Sequence, residues 1–502
     1  MVERISIPDQ KTLDEYGSFA HLSAAVSRLR AEAKRLVPRL GGRHVWMVNS
    51  TARGGGVAEM LPTQIGLLRE LGVDADWLVI STDRQEFFAF TKRLHNLIHG
   101  EGEPEINRSE RELYDAVSRE NADAVRGMVS PDDILVVHDP QPLGTGALLK
   151  KELGVHAVWR CHIGLDEHVP QTIAAWRFMR PFAETYDHAV FSAPEYIPGY
   201  LAGRVAIIHP AIDPLSEKNR DLSLHKLVGI IWNADLGVQS GPILTEDYEY
   251  KAMRLQPDGD FDFATMPEDI GLLSRPIITQ VSRWDRLKGF RPLMHGFREL
   301  KLRLSNGIKD PTHRRRLELI RLVLAGPDPS SIQDDPEGLQ VIEELIDDYV
   351  GFEPDIQADI AVVSLPMESP RYNALMVNAI QRASTIVVQN SLREGFGLTV
   401  TEAMWKQKAV LGNYRAVGLR QQIRDRIDGC MVTDPEDAIE IAATLNEMLA
   451  DPTGRDTWGN AAQRRVHDEF LVLSQLSHWL HVLAEVVDPS WPRPVRSTES
   501  TS

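Results

Sequence analysis

The sequence predicts an α/β protein with two Rossmann-like, doubly wound domains that face each other across a cleft. Its 502 residues exceed what one ordinary hydrophobic core organises, so two or three domains are expected. Two separate stretches alternate short apolar strands with helical patterns, which is typical of parallel sheets covered by helices on both faces. Each stretch also contains a glycine-rich turn between a strand and a helix, where such sheets bind ligands.

The first alternating stretch lies in a predicted N-terminal domain of residues 1–215. A helix is predicted at 20–36, and strands at 45–48, 75–80, 134–138, 157–161, 188–191 and 205–208. Polar residues follow three of these strands, among them Asn49, Asp139 and His162, and we expect them at one edge of the sheet. Two local interpretations stay open: a proline-flanked turn for Asp139 and a bond to nearby backbone for His162.

The second alternating stretch forms a predicted C-terminal domain of residues 273–465. Its strands are predicted at 276–281, 322–325, 360–364, 386–388, 410–411 and 431–432. Residues 216–272 are interpreted as a linker with an acidic surface insertion, whose aspartates lack the glycine and glutamate spacing of a calcium loop. A helix at 466–487 is expected to cross back to the N-terminal domain, and the tail 488–502, rich in Pro and Ser, is expected to be mobile.

Residues 391–405 of the C-terminal domain combine a glycine loop with two glutamates. A buried strand precedes Glu394 and the loop 395–397, and a helix is predicted after Thr399. Backbone amides at such a turn bind anions, whereas a carboxylate beside them accepts hydrogen bonds from hydroxyls. A sugar attached to a phosphate offers both kinds of group. Glu402 has a second interpretation, as the last residue of a capping box that starts at Thr399.

Two cations and a second glycine turn complete the candidate site. Arg283 and Lys288 flank the turn after the first strand of the C-terminal domain, so both can reach one anion. In the N-terminal domain the glycines at 54–56 separate a strand from a helix, and this turn serves either a phosphate or tight packing. It is neither a GxGxxG fingerprint nor a Walker loop, which disfavours a dinucleotide-binding protein or an ATPase.

The composition describes a soluble globular protein, with 43% hydrophobic residues, 25% charged residues and a formal net charge of -17. That acidity argues against nucleic acid, which needs a basic surface. The two cysteines, Cys161 and Cys430, have no metal-ligand spacing around them, so we expect no metal site and a reducing compartment. No apolar run suggests a signal peptide or a membrane span. A cytoplasmic protein that requires no metal or cofactor is therefore expected.

Taken together, these motifs resemble those of retaining glycosyltransferases of the GT-B fold, family four. Glu394 and Glu402, with seven residues between them, are similar to the signature of that family. The ordered set of segments resembles the trehalose synthases that use a nucleotide-sugar donor, and trehalose phosphorylases share much of it. The matching segments are residues 44–51, 54–61, 138–141, 159–163, 212–219 and 393–402.

The resemblance implies a role for each candidate residue. Arg283 and Lys288 would bind the donor diphosphate, Glu394 the hydroxyls of the transferred sugar, and Glu402 the ribose. His162 would lie beside the anomeric carbon, so that the catalytic set is His162, Arg283, Lys288 and Glu394. The remaining donor-binding residues would be Gly55, Gly56, Gly395, Phe396, Gly397 and Leu398, and Asp139 would join His162 at the acceptor.

The implied activity is transfer of glucose from UDP-glucose or ADP-glucose to glucose, with retention of configuration, to form trehalose or a related α-glucoside. The expected partners are small sugars, with no nucleic acid and no membrane, and a homodimer is one assembly that stays open. Two other functions also stay open: a trehalose phosphorylase that releases glucose 1-phosphate, and a non-catalytic protein that binds a nucleotide sugar. Two departures from the family pattern motivate the last one and leave the acceptor undecided. Gly164 stands where the synthases have an aspartate, and the segment around Val417 lacks their usual double glycine.

Overall fold

The computed structural model describes residues 2–8, 10–52, 56–238, 248–264, 270–303, 308–329 and 336–490. The chain divides into two compact units. The first comprises Met1–Pro210 and Leu471–Ser502, and the second comprises Ala211–Phe470. Each unit contains one sheet, and the two are taken separately below.

The strands are numbered along the chain. They are β1 (Glu3–Ile5), β2 (Val45–Asn49), β3 (Ala75–Val79), β4 (Ile134–His138), β5 (His156–Cys161), β6 (His188–Phe191), β7 (Val205–Ile207), β8 (Met253–Leu255), β9 (Phe261–Asp262), β10 (Ile277–Val281), β11 (Arg321–Pro327), β12 (Ile360–Leu365), β13 (Ile386–Val388), β14 (Ala409–Asn413) and β15 (Gly429–Val432).

The helices follow the same numbering. They are α1 (Leu13–Gly17), α2 (Ala20–Leu36), α3 (Gly56–Glu70), α4 (Gln85–Ile98), α5 (Arg108–Val125), α6 (Leu143–Leu153), α7 (Pro170–Ala183), α8 (Leu224–Asn233), α9 (Phe290–Leu302), α10 (Pro311–Leu319), α11 (Pro336–Val350), α12 (Pro354–Gln357), α13 (Pro370–Ala383), α14 (Leu398–Trp405), α15 (Val417–Gln422), α16 (Ala438–Ala450), α17 (Pro452–Arg465) and α18 (Val472–Val487).

The first unit is a seven-stranded sheet in the order β1-β3-β2-β4-β5-β6-β7. All its pairings are parallel except that of β1, which runs antiparallel to β3 at the edge. Every residue of β2, β3 and β4 is buried, as expected for central strands with helices on both faces. The C-terminal helix α18 belongs to this unit and contacts α2, where the Ser477 hydroxyl donates a hydrogen bond to Glu32.

The second unit is an eight-stranded sheet in the order β15-β14-β13-β10-β11-β12-β8-β9. The six strands from β10 onward pair in parallel, while β8 and β9 add an antiparallel edge. Successive residues of β10 enter different cores: Ile278 packs with Trp284 and Phe290, whereas Ile277 packs with Ile230 and Met376. Because side chains alternate along a strand, these two clusters cover the two faces of the sheet.

Two segments differ from the sequence-based expectation. No strand was predicted before residue 45, but Glu3–Ile5 pairs with β3. Residues 216–272 were expected to include an acidic surface insertion, yet α8 buries Ile230 and Ile231, and β8 pairs with β12. This part is therefore built into the second unit, although its aspartate-rich hairpin around Asp260 stays at the surface. Most of the tail predicted to be mobile, 491–502, lies outside the described residues.

Candidate active site

Two loops at the carboxyl ends of β10 and β13 are tied together in the second unit. The side chain of Gln280 joins them, because its Oε1 accepts from the Asn390 amide at 2.9 Å and its Nε2 donates to the Lys288 carbonyl at 2.7 Å. Gly289 has φ of 62°, and a Cβ there would lie 2.2 Å from the Asn390 carbonyl oxygen. Only glycine permits this approach, so the loop that carries Lys288 is fixed against the loop that carries Glu394.

Lys288 and Glu394 form an ion pair across these loops. Lys288 Nζ lies 2.5 Å from Glu394 Oε2, and the two side chains are 16% and 15% exposed. The same carboxylate oxygen accepts from the Ser391 hydroxyl at 3.1 Å, and Gln389 Nε2 holds that hydroxyl at 2.7 Å. The ammonium predicted for a phosphate and the carboxylate predicted for a sugar thus lie in direct contact.

Arg283, the second predicted cation, lies on the same loop as Lys288 and points outward. Its side chain is 64% exposed, and its Nη2 is 3.8 Å from Asp285 Oδ2. Asp285 also caps the following turn, since its Oδ1 accepts from the Leu287 amide at 2.8 Å. The guanidinium therefore contacts Asp285, and its exposed part can turn towards an anion.

The glycine loop leads into α14 with a left-handed residue. Gly397 has φ of 86° and is the N-cap of α14, with no side-chain cap. The capping-box interpretation of Glu402 is therefore wrong, because the helix starts at Leu398, ahead of Thr399. The ring of Phe396 packs against Phe470 with a centroid distance of 5.7 Å, so only its backbone is left for a ligand.

The departure at Val417 has a packing consequence next to this loop. The following residue, Gly418, would place a Cβ only 2.3 Å from the Phe396 Cα, and its amide donates to the Glu394 carbonyl at 3.2 Å. Val417 itself is buried. The close contact with the Phe396 backbone therefore needs a glycine at 418, and it is formed although residue 417 is a valine.

Glu402 lies one turn inside α14 and is 7% exposed. Lys218 Nζ is 3.8 Å from its Oε1, and Lys406 Nζ donates to its backbone carbonyl at 3.2 Å. Sequence inspection selected Glu402 but neither lysine. Lys218 belongs to residues 212–219, which match the family pattern, but the resemblance implied no role for it.

The first unit brings His138, at the end of β4, against His162, which follows β5. Nδ1 of His138 lies 3.0 Å from Nε2 of His162, with ring planes 14° apart. Asp139 accepts from the His162 amide at 2.8 Å and adopts φ of 61°, a left-handed conformation that is rare outside glycine. The two predicted residues, Asp139 and His162, therefore do lie together, and His138 joins them.

Burial controls the ionisation of this histidine pair. It lowers the pKa of His138 to about 3 and holds the pKa of His162 well below its usual value, with the nearby Arg160 guanidinium adding to both shifts. Burial also raises the pKa of Asp139 to about 6, against the opposing effects of its bond to His162 and of Arg160. Both imidazoles are consequently neutral at pH 7, and one of them must donate to the other.

Arg160 is a residue that the sequence analysis did not select. It is 1% exposed, its Nη2 donates to the Ser192 hydroxyl at 3.2 Å, and its Nη1 has no hydrogen-bond partner in the described part of the chain. Burial lowers its pKa to about 10, so it remains charged. An arginine inside an otherwise apolar strand was the available signal, because such a charge is costly without a use.

The departure at Gly164 also has a steric reason. A Cβ at this position would lie 2.1 Å from Cγ of Tyr196, whose side chain is buried. The aspartate found here in the family pattern therefore cannot be accommodated unless Tyr196 moves.

Only part of the glycine turn of the first unit falls within the described residues. Gly55 lies outside the described residues, and Gly56 is the first residue of α3 rather than part of the loop. Asn49, which precedes this turn, is buried and donates from Nδ2 to the Thr51 carbonyl at 3.1 Å. The predicted contact of this turn with a ligand stays a prediction.

One group of side chains has the spacing to hold a metal ion among the described residues: His44, Asp74 and Asp76. Arg4 and Arg69 both form ion pairs with Asp76, so cations already neutralise its carboxylate. We assign no metal to this group. In the same described residues, no helix combines the length and the apolar character that crossing a bilayer requires.

Comparisons with known proteins place the chain in a family. A family model described as "Trehalose synthase, N-terminal domain" matches residues 47–198, and one described as "Glycosyl transferases group 1" matches residues 372–465. The trehalose synthase of Pyrococcus horikoshii is 33% identical over 476 residues, which cover 94% of this chain and 96% of that protein. A trehalose phosphorylase of Pleurotus pulmonarius is 26% identical, over 91% of this chain and 58% of that protein.

A solved structure gives the fold its name. The α,α-trehalose-phosphate synthase (UDP-forming) from Burkholderia xenovorans, in complex with glucose-6-phosphate, superposes with a TM-score of 0.58 at 15% identity, covering 88% of this chain and 100% of that one. At this identity the likeness concerns the fold, which is the two-domain α/β GT-B fold. With the sequence matches, it follows that the chain belongs to the trehalose synthase family and is a glycosyltransferase of trehalose-related glucosyl transfer.

Proposed function

We propose that the protein transfers glucose from UDP-glucose or ADP-glucose to glucose, with retention of configuration, to give trehalose or a related α-glucoside. The observation that carries this proposal is the contact of Lys288 with Glu394 at 2.5 Å beside the glycine loop. A glucosyl diphosphate presents an anion and several hydroxyls next to each other, and this pair offers one group for each. The UDP-forming description of the Burkholderia xenovorans enzyme supports a nucleotide-sugar donor.

In the second unit, catalysis consists of charge stabilisation and positioning. Lys288 and Arg283 stabilise the charge that grows on the diphosphate as the bond from the anomeric carbon to the phosphate oxygen breaks. The amides of residues 395–398 and the Glu394 carboxylate hold the sugar, and Glu402 accepts from the ribose. A lysine fixed by a tied loop needs little reorganisation at that moment, which favours the transition state over the bound substrate.

In the first unit, His162 and Asp139 serve the acceptor side. The electron pair of the broken bond stays on the phosphate oxygen, while the acceptor hydroxyl oxygen bonds to the anomeric carbon on the same face. Its proton passes to that phosphate oxygen, so configuration is kept and no protein base is consumed. A neutral His162 suits this step because a second positive charge beside an oxocarbenium-like carbon would destabilise it.

The test is product analysis with defined donors. The protein is incubated with UDP-glucose or ADP-glucose and glucose, and the products are separated and assigned by NMR. An α,α-linked disaccharide supports the proposal. Release of glucose alone, or no product with any sugar acceptor, contradicts it.

A second candidate function is a trehalose phosphorylase, in which inorganic phosphate occupies the site of Arg283 and Lys288. The similarity to the Pleurotus pulmonarius phosphorylase favours it. Glucose 1-phosphate formed from trehalose and phosphate, without any nucleotide, would decide for this reaction. A non-catalytic binding protein is not retained, because the family consists of enzymes. The cytoplasmic location, the homodimer and the domain limits stay predictions.

A further inference from the structure

The carboxylate of Glu402 is buried within ion-pair distance of Lys218. Glu402 is 7% exposed, and the Nζ of Lys218 lies 3.8 Å from its Oε1. In the part of the chain that the structure describes, no other ammonium or guanidinium is within ion-pair distance of this carboxylate. A buried carboxylate without an opposite charge is costly, so Lys218 compensates the charge of Glu402.

Lys406 is also close to Glu402, but its Nζ makes different contacts. Its buried Nζ donates to Gln381 Oε1 at 2.7 Å, to Asn219 Oδ1 at 3.3 Å and to the Glu402 carbonyl at 3.2 Å. These three acceptors satisfy the three N–H donors of the ammonium. Lys406 thus ties α14 to α13 and to residue 219. Burial lowers its pKa to about 7 against the attraction of the Glu402 charge, but its Nζ makes no hydrogen bond to that carboxylate among the described residues.

The segment that carries Lys218, residues 217–221, is fastened to α13 by its backbone. Asn378 Nδ2 donates to the carbonyls of Glu217 and Arg220, both at 2.9 Å. Arg382 Nη2 donates to the Arg220 carbonyl at 3.1 Å and to Asp221 Oδ1 at 2.9 Å. Because the buried Asn378 and the half-buried Arg382 hold these groups, the stem of Lys218 starts from a fixed position beside Glu402.

We propose that Lys218 is a positioning residue that directs the Glu402 carboxylate so that it accepts from the 2′ and 3′ hydroxyls of the donor ribose. This inference rests on the proposed function, because it takes the donor to be a nucleotide sugar. An ammonium near Oε1 restricts the rotation of the carboxylate, and the lone pairs of its oxygens that Lys218 does not use can then accept from hydroxyls in a fixed direction. Lys218 therefore contributes to binding of the ribose without contacting the reacting atoms.

The inference predicts an effect on binding that depends on the ribose. Lys218→Met keeps the stem and removes the charge, so affinity for UDP, measured by calorimetry, is expected to fall about tenfold. KM for the nucleotide-glucose rises by a similar factor, while kcat changes little. With 2′-deoxy-UDP or 3′-deoxy-UDP the difference in affinity between wild type and variant is expected to be smaller, because one of the hydroxyls that donate to Glu402 is missing.

Two further variants separate positioning from mere folding. Lys218→Arg retains the charge and is expected to recover most of the UDP affinity. Lys226→Met removes an exposed lysine from α8 in the same part of the unit and is expected to leave UDP affinity unchanged. Thermal unfolding of all three variants should match the wild type within a few degrees.

The result that overturns the inference is equal loss of affinity for UDP and for both deoxy analogues, or no loss at all, in Lys218→Met. Failure of the proposed function is distinct: the wild type then makes no glucoside from any nucleotide-glucose. Calorimetry with UDP and its deoxy analogues needs no turnover, so the inference is decided in either case. A wild type that binds no nucleotide contradicts both.

Discussion

The candidate residues of the two units differ in charge: one unit contains a neutral pair and the other an ion pair. In the first unit His138 and His162 meet at 3.0 Å, and burial keeps both imidazoles neutral. In the second unit Lys288 and Glu394 meet at 2.5 Å as opposite charges, with about a sixth of each side chain exposed. The first pair is a contact between two neutral rings, and the second is an ion pair.

This difference fits the two ends of the bond that the proposed reaction breaks. The phosphate gains negative charge, and a partly exposed Lys288 can exchange its contact with Glu394 for one with phosphate at modest cost. The sugar carbon gains positive charge, and a half-buried neutral His162 avoids repulsion there. Mutations that reverse either arrangement are therefore the most informative.

The largest expected effect is at the charged pair. Glu394→Gln keeps the size of the side chain but removes the acceptor of sugar hydroxyls and the partner of Lys288, so kcat should fall about 100- to 1,000-fold. Steady-state rates of glucoside formation check this. Glu436→Gln is the matched control, because Glu436 forms an exposed ion pair with Arg415 in the same unit. Activity of Glu394→Gln equal to that of the control would show that the loop is misinterpreted.

A smaller loss is expected at the neutral pair. His138→Phe retains a buried ring but removes the nitrogen that meets His162 at 3.0 Å, so His162 loses its fixed tautomer and orientation. Misplacement of a group near the reacting atoms costs about 10- to 100-fold in kcat. The rate is compared with that of His313→Phe, which removes a histidine bonded to Asn446 in the second unit. If both variants are equally active, His138 does not position His162.

A smaller effect, on stability, is expected from substituting one tightly packed glycine in each unit. Gly418→Ala meets the backbone of Phe396 at 2.3 Å, and Gly164→Ala meets the ring of Tyr196 at 2.1 Å. Each should lower the free energy of unfolding by about 1–3 kcal/mol, with Gly418→Ala the more harmful because backbone yields less than a side chain. Urea unfolding measures both.

Gly199→Ala is the control for these two variants, since a Cβ there has no atom within 4 Å. Its urea midpoint should stay close to that of the wild type. A Gly164→Ala midpoint indistinguishable from that of Gly199→Ala would mean that Tyr196 moves aside at little cost. The steric explanation of the departure at Gly164 would then be wrong.

The sequence predicted the sheets better than their edges, for a physical reason. Central strands such as β4, β6 and β13 are continuous apolar runs, and their observed limits coincide with the expected ones. The strands β1, at one edge, and β8, next to one, pair antiparallel, and their sequences, Glu3-Arg4-Ile5 and Met253-Arg254-Leu255, are not apolar runs. Three residues that include charged ones show no recognisable pattern, so only the partner strand reveals them.

The candidate site shows the same limit at the level of side chains. Strand ends identified His162 and Arg283, because position along a parallel strand is visible in the sequence. The contact of Lys288 with Glu394 joins residues 106 positions apart, and that of Lys218 with Glu402 involves a segment without any helical or strand pattern. Such pairs depend on how loops and helices pack, and a single sequence does not contain that information.

The smallest expected effect is the response of the first unit to acid. Because the pKa of His138 is about 3 in the folded protein and ordinary in the unfolded chain, the unfolded chain binds more protons as pH falls below about 6.5. Stability should therefore drop between pH 6.5 and 5.5, and His162 acts in the same direction. Asp139, with its pKa raised to about 6, opposes them because its folded form takes up a proton in acid.

Two histidines against one carboxyl leave a net loss of about 2 kcal/mol in the free energy of unfolding between pH 7.5 and 5.5, measured as a lower urea midpoint. In His138→Phe one of the two protonation sites is gone, so the midpoint should depend less steeply on pH. A wild type and a variant with equal pH dependence would show that His138 titrates normally. The conclusion that the pair of His138 and His162 is neutral would then be wrong, whereas the conclusion about the ion pair of Lys288 and Glu394 would not be affected.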